Sequence, residues 1–442
     1  MKYEIVVVGG GPAAITLAKR LGKKKDIAII RPEAHSMIYC AMPYAIEGLL
    51  PVEKTLKSDA LVTDAGATLI RDRVESIDFV HKNLITRKGE TIGYEKLILA
   101  TGAEPLIPPV PGTDLSGVHA FKSEEDLLRL SQLVDQGVSK AVVIGAGAIG
   151  VELAQALRSR GSEVTLIDMA SQVLPNLIDG TMALQAKEQL ESAGVELVLE
   201  KRVVEIKGSD RVESVLLDDD TIIELGVHGL LVFAVGMKAN TELVDPEFIT
   251  TGPQGIMVNE KMESSLAGVF AVGDCTQFIS GITLKVTPGK LATNAVPMAK
   301  VLADRLLGSE RVYPGFFNGA ATKVGSLYFG GTGISALEAT EAAFEPVVGR
   351  SKVTTQFPIM PDAGELSISL TFDAVTRRLI GAQVVSESPV TMVIDLLTFA
   401  IQKESVIEDL IELSYSSQPY QSFYPAANGV VLAAEQVLKA LN

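Results

Sequence analysis

Hydrophobic positions come in short all-apolar runs rather than in strict alternation. "YEIVVV" (3–8), "IAII" (27–30), "KLILA" (96–100), "AVVI" (141–144), "VTLI" (164–167) and "LLVF" (230–233) read as strands buried on both faces. Between several of them lie stretches with helical spacing, such as "ITLAKRL" (15–21) and "VELAQALRS" (151–159). Alternation of strand and helix predicts parallel sheets covered by helices. The pattern changes after about residue 319. "ELSISLTFDAVTRRLIGAQVVS" (365–386) reads as strand-rich, and the chain then has a helical finish.

Two of the strand–helix joints are glycine-rich. In "YEIVVVGGGPAAITLAKRLGKKKDIAIIR", Gly9 serves the tight turn, Gly11 lets the backbone approach a pyrophosphate, and Ala14 lets helix and strand pack closely. "AVVIGAGAIGVELAQALRSRGSEVTLIDMA" repeats the arrangement with Gly145, Gly147 and Gly150, and its second strand ends in Asp168. A carboxylate there accepts from both ribose hydroxyls of NAD and repels the 2′-phosphate of NADP, so NADH is expected over NADPH. Two copies, each in a strand–turn–helix–strand setting, are far more specific than one. A third match, Gly331, Gly333 and Ala336, is followed by no acid-ended strand. There Ser335 and Glu338 read as a helix capping box.

Composition narrows the chemistry. The 442 residues carry 39 basic and 54 acidic side chains, a formal charge of −15, which argues against a nucleic-acid or anionic-membrane surface. No apolar run reaches the ~18 residues of a membrane span. The four histidines are too dispersed for a metal site. Two cysteines exclude a disulfide framework, and the chain opens directly into a strand, so the cytoplasm is the expected compartment.

With these motifs in place the chain resembles the pyridine nucleotide–disulfide oxidoreductases. Within them it resembles the single-cysteine group of coenzyme A disulfide reductases, NADH oxidases, NADH peroxidases and persulfide reductases. The likeness is densest over 5–48, 94–102, 141–168 and 264–299. It includes "YEKLILATGAEP" around Thr101 and Gly102, "LLVFAVGMKAN" around Gly236, "LAGVFAVGDC" with Asp274, and "LATNAVPMAKVLADRL" beginning near Ala292. It implies an α/β fold with two Rossmann-like dinucleotide-binding domains, glutathione-reductase-like, plus a C-terminal α+β dimerisation domain. The expected divisions are 1–112 with 246–318 for FAD, 113–245 for NADH, and 319–442 for the interface of a homodimer. Beyond the residues already named, Pro12, Ser36 and Val74 are expected beside FAD, and Ile149 and Glu152 beside NADH.

One position departs from the family. Its second strand usually ends in a glutamate for the FAD ribose, whereas "IAIIRPE" offers Ile30 and Arg31, with Glu33 the nearest acid. Arg31 and Glu33 are therefore both candidates for the adenosine end.

"SMIYCAMPYAIEG" carries the expected reactive centre, Cys40, four residues after Ser36. Ala45 stands where dithiol relatives have a second cysteine, and Cys275 reads as packed. "CAMPYAIEGLL" reads as a helix start, which favours a thiolate. A helix end supplies only about 0.3–2 kcal/mol, so the oxidised flavin ring or a nearby donor has to supply the rest. The resemblance implies that electrons pass from NADH through FAD to Cys40. The sulfur would then reduce a low-molecular-weight disulfide, persulfide or polysulfide. Pro12 replaces the histidine of peroxide- and oxygen-reducing members, which lowers the oxidase and peroxidase alternatives. A reductase of a small electron-transfer protein is a further alternative. Tyr415, in "LSYSSQPYQSFYPAANG", and Tyr420 are expected to serve a partner subunit's leaving thiolate or to pack the interface. "KRLGKKK" (19–25) is the one conspicuous basic cluster, and such a run is ordinarily a solvated face.

Overall fold

The computed structural model describes residues 1–289 and 291–442. The apolar runs form the centres of two sheets. In the first, Lys2–Val8 lies between Ile27–Arg31 and Thr91–Leu99, all parallel, with Thr68–Arg71 beyond Ile27–Arg31. Val269–Ala271 joins the far side of Thr91–Leu99 in parallel through Leu97, Ile98 and Leu99. The start of that long strand pairs antiparallel with Asn83–Thr86 instead. The helices Pro12–Leu21 and Ala292–Leu306 pack on this sheet, Leu17 and Ala18 meeting Met298, Ala299 and Leu302 in one core.

The second sheet is wholly parallel, in the order Val118–His119, Leu230–Phe233, Lys140–Ile144, Glu163–Ile167, Val195–Val198. A ribbon joins the two sheets where the chain leaves the first and returns from the second. Ala103–Pro105 pairs antiparallel with Met237–Ala239. Thr101 Oγ1 donates to the Asn240 carbonyl at 2.8 Å, and Asn240 Nδ2 donates back to the Thr101 carbonyl at 3.0 Å. These reciprocal bonds fix the two nucleotide folds to each other at one point.

The C-terminal sheet is antiparallel, in the order Ala320–Val324, Leu327–Gly333, Leu379–Ser386, Glu365–Asp373, Pro346–Thr354. The helices Thr391–Gln402 and Gly429–Leu441 cover it. The third glycine match lies here, on an antiparallel strand. Ser335 caps the following helix: its hydroxyl accepts from Glu338 N at 3.2 Å, and Glu338 Oε2 accepts from Ser335 N at 2.7 Å. Among the described residues no helix is long and apolar enough to cross a membrane.

Candidate functional site

The two glycine turns are built alike. Val8 is registered on Ile30 and Ile144 on Ile167, and Gly9 N and Gly145 N each donate 2.8 Å to the carbonyl of that partner. Both glycines have left-handed φ, +120° and +110°. A side chain on either would run into the backbone of the neighbouring strand end, at Ala100 O (2.0 Å) or Ala234 O (2.5 Å). Gly11 and Gly147, by contrast, face open space. Each turn therefore presents a bare backbone with room above it, as a pyrophosphate requires.

The helix starts point the same way. Pro12–Leu21, Ala148–Ser159 and Ala292–Leu306 begin with no side-chain cap and no acid in the first turn. Several helices elsewhere are capped, Ser123 forming a capping box with Asp126 and Asp179 and Asn428 accepting from their own first turns, although Thr391–Gln402 also starts uncapped. Uncapped N–H groups at a positive helix end want anionic acceptors. The residues present thus fit two dinucleotides. Asp168 Oδ2 accepts from Ala146 N at 2.5 Å and Oδ1 from Ala170 N at 2.7 Å, which orients the carboxylate beside the second turn. Ile149 is partly exposed in the first turn of the helix that follows, and Gly236 lies just ahead of Met237–Ala239, where its carbonyl accepts from Leu106 N. Ala292 lies exposed at the start of its helix, while Val74 is buried with Val8 and Ile30 in the core behind the first sheet.

Cys40 is exposed and sits in a 3₁₀ turn, Tyr39–Ala41, just ahead of the six-residue helix Met42–Glu47. The thiol thus precedes a helix too short to contribute much, and Lys57 is a cation within electrostatic reach of it. A two-residue ribbon registers Ser36 on Lys57 and Met37 on Leu56, which brings this lysine to the cysteine from 17 positions away. Burial lowers the Lys57 ammonium, and the neighbouring Cys40 sulfur and Lys19 charge act on it in opposite directions. Replacing Lys57 with methionine should slow alkylation of Cys40 at pH 7 several-fold, measured with iodoacetamide, because the sulfur loses its cation.

Cys275 is a packed residue. It is fully buried, its Sγ donates at 3.4 Å to the carbonyls of Leu99 and Val272, and burial pushes its thiol up.

Asp274 lies at the same end of the first sheet. Lys122 Nζ stands 3.9 Å from its Oδ2 and 4.4 Å from the centre of the Tyr39 ring. Burial lowers this lysine and Asp274 opposes the shift. No motif announced Lys122, which the second sheet's first connection carries across to the first turn.

A third group missed in the sequence surrounds Glu152. Tyr44, one turn after Cys40, donates to Glu152 Oε1 at 3.3 Å, and Thr322, from the C-terminal sheet, donates to the same oxygen at 2.7 Å. Burial raises the carboxyl against the opposing effect of both hydroxyls, and burial with the facing carboxylate raises the Tyr44 hydroxyl. A raised acid contributes stability below the ordinary glutamate range and loses it as pH rises through its folded value. The melting temperature of Glu152→Gln relative to the parent should therefore climb as pH increases from about 4.5 to 7, read by calorimetry.

Tyr415 and Tyr420 are not brought to Cys40 within the chain. Tyr415 Oη donates to the Pro425 carbonyl at 2.6 Å and its ring meets Phe423 edge-on at 5.5 Å, while Tyr420 is exposed.

The family model for pyridine nucleotide-disulphide oxidoreductases matches residues 3–299. The chain is 33% identical to an NADH oxidase of Methanocaldococcus jannaschii, covering 99% of both chains. It is 29% identical to an NAD(P)H coenzyme A polysulfide/persulfide reductase of Pyrococcus horikoshii, covering 87% of this chain and 88% of that one. The solved NAD-dependent persulfide reductase from A. fulgidus superimposes with a TM-score of 0.92 at 27% identity, over 100% of this chain and 83% of the other. FAD and a nicotinamide dinucleotide are the cofactors that such relatives and the two turns require. With fold, paired turns and sequence likeness in agreement, this chain belongs to the pyridine nucleotide-disulphide oxidoreductases.

Proposed function

We propose that this enzyme uses NADH to reduce a small sulfur–sulfur acceptor at Cys40, acting as a homodimer. The observation that carries the reading is an exposed thiol within electrostatic reach of Lys57, with the one other cysteine sealed in the core. No intrachain disulfide can form locally, so the bond to be broken has to arrive from outside.

The glycine turns would hold the pyrophosphates, Asp168 the NADH ribose, and Asp274 with Lys122 the flavin's ribityl chain. FAD, when bound, supplies hydride acceptance from nicotinamide and return of an electron pair to sulfur. Cys40, as thiolate, attacks the acceptor and forms a mixed disulfide as one thiolate leaves. Two electrons originating in NADH then cleave that bond, restoring the Cys40 thiolate and releasing the second thiol. The sum is NADH, a proton and a disulfide giving NAD⁺ and two thiols.

Charge near the sulfur favours an anionic acceptor. Lys57 feels Lys19, and Lys19 lines a surface cleft with Arg20, Lys23 and Lys24. Lys19 of the basic run therefore lies within electrostatic reach of Lys57, while Arg20 is paired with Asp304 and Asp64 also lines the cleft. A phosphate-bearing thiol such as coenzyme A fits such a surface.

Purified enzyme should oxidise NADH rapidly with coenzyme A disulfide or polysulfide, and slowly with oxygen or hydrogen peroxide. Rapid turnover with oxygen alone would favour the oxidase reading, which the M. jannaschii relative's name supports.

A further inference from the structure

The equivalent bonds from Gly9 to Ile30 and from Gly145 to Ile167 place residues 31 and 168 at the same point of the two nucleotide folds. In the second fold that point holds an acid. In the first it holds Arg31, which is 2% exposed. Its stem lies against the turn so closely that a Cβ on Gly10 would stand 2.2 Å from Arg31 Cδ. A ribose arriving above the turn therefore finds the guanidinium already covered.

The arginine is tied to the loop that follows it, 32–35. Arg31 Nη2 donates to the Ala34 carbonyl at 3.2 Å and pairs with Asp59. Arg71, the last residue of the adjacent strand, pairs with the other oxygen of Asp59. It also donates to the carbonyls of Ala34 and of Glu33, the latter at 2.9 Å. One carboxylate and two guanidiniums thus fix the backbone of residues 33 and 34 from beneath. The Glu33 side chain is exposed and makes no hydrogen bond or ion pair among the described residues. Its charge acts on Tyr39, as do those of Asp274 and Arg31, so it lies within electrostatic reach of the same ring as Asp274.

We infer that Glu33 is the ribose-binding acid of the first fold, displaced two residues along the chain, and that Arg31 is its positioning residue, acting with Asp59 and Arg71. The inference rests on the FAD assignment above. An ionised carboxylate accepts the ribose hydroxyls from the loop, and the buried arginine that took the usual acid's place supplies the rigidity that loop needs.

The test compares FAD with FMN, which lacks the adenosine ribose, by titrating flavin-stripped enzyme and following fluorescence quenching. Glu33→Gln should weaken FAD binding about ten- to hundredfold, the range for charged hydrogen bonds, and leave FMN unchanged. Arg31→Met, which keeps the stem over Gly10 but frees the loop, should move FAD in the same direction, again without moving FMN. Loss in Arg31→Met with none in Glu33→Gln would show that the guanidinium itself holds the ribose and would overturn the proposal. Loss in Glu33→Gln with none in Arg31→Met would overturn the positioning role. Equal losses of FAD and FMN would mean structural damage and count against both roles. A parent chain that binds neither flavin would overturn the FAD assignment beneath.

Discussion

Cys40→Ser should abolish NADH-dependent reduction of disulfides and polysulfides, a fall of about 10³-fold or more, since the nucleophile and the electron-accepting sulfur are lost together. Serine is nearly the same size, and Cys40 is exposed at a turn rather than packed, so the fold should not suffer. The variant should still bind both cofactors, and NADH should still bleach the flavin absorbance under anaerobic conditions. That combination separates loss of the sulfur step from loss of the protein. Undiminished turnover with a protein acceptor would instead assign the chain to electron-transfer reductases, in which the thiol is dispensable.

Met392→Glu combined with Phe399→Glu should dissociate the proposed homodimer and remove activity with it. The helix Thr391–Gln402 buries Ile394, Leu397 and Ile401 against the C-terminal sheet. Its outer face carries Met392 (84% exposed), Leu396 (43%) and Phe399 (57%), spaced to form one stripe. Such an apolar stripe on an exposed face, interrupted only by Asp395, marks an interaction surface, and each such side chain gains about 1.5–3 kcal/mol when fully buried. A second copy of the chain is the occupant that also explains the exposed tyrosines. Tyr415 and Tyr420 are far too wet for simple core residues, and a partner could carry them to the sulfur. Sedimentation should show a dimer for the parent and a monomer for the double variant at micromolar concentration, with circular dichroism unchanged. A variant that remains dimeric would place the interface elsewhere.

Much of the architecture was legible because both nucleotide folds are local. Strand, glycine turn, helix and next strand follow within about 30 residues, so spacing and apolar runs suffice to recognise them. The Ser335–Glu338 capping box was legible for the same reason, since its bonds span three residues. Lys57, Lys122, Tyr44 and Thr322 were not legible. Each reaches the site through a pairing or packing contact between segments far apart in sequence: a two-residue ribbon for Lys57, a crossing between sheets for Lys122, and three separate elements around Glu152. Arg31 was legible as an anomaly, but its meaning was not. Only the tertiary fold shows that it is buried and that the loop above it is tied to Asp59 and Arg71.

By itself the sequence determined the two dinucleotide folds, the lone candidate thiol and the class of chemistry. These depend on backbone conformation and residue type at fixed short spacing. The tertiary structure decided which cation lies within electrostatic reach of that thiol, which acid, among the described residues, stays unpaired beside the buried Arg31, and which apolar face lacks a cover. Charges interact over several ångströms through space, and burial belongs to surfaces rather than to stretches of chain. Neither quantity exists until distant segments have been brought together.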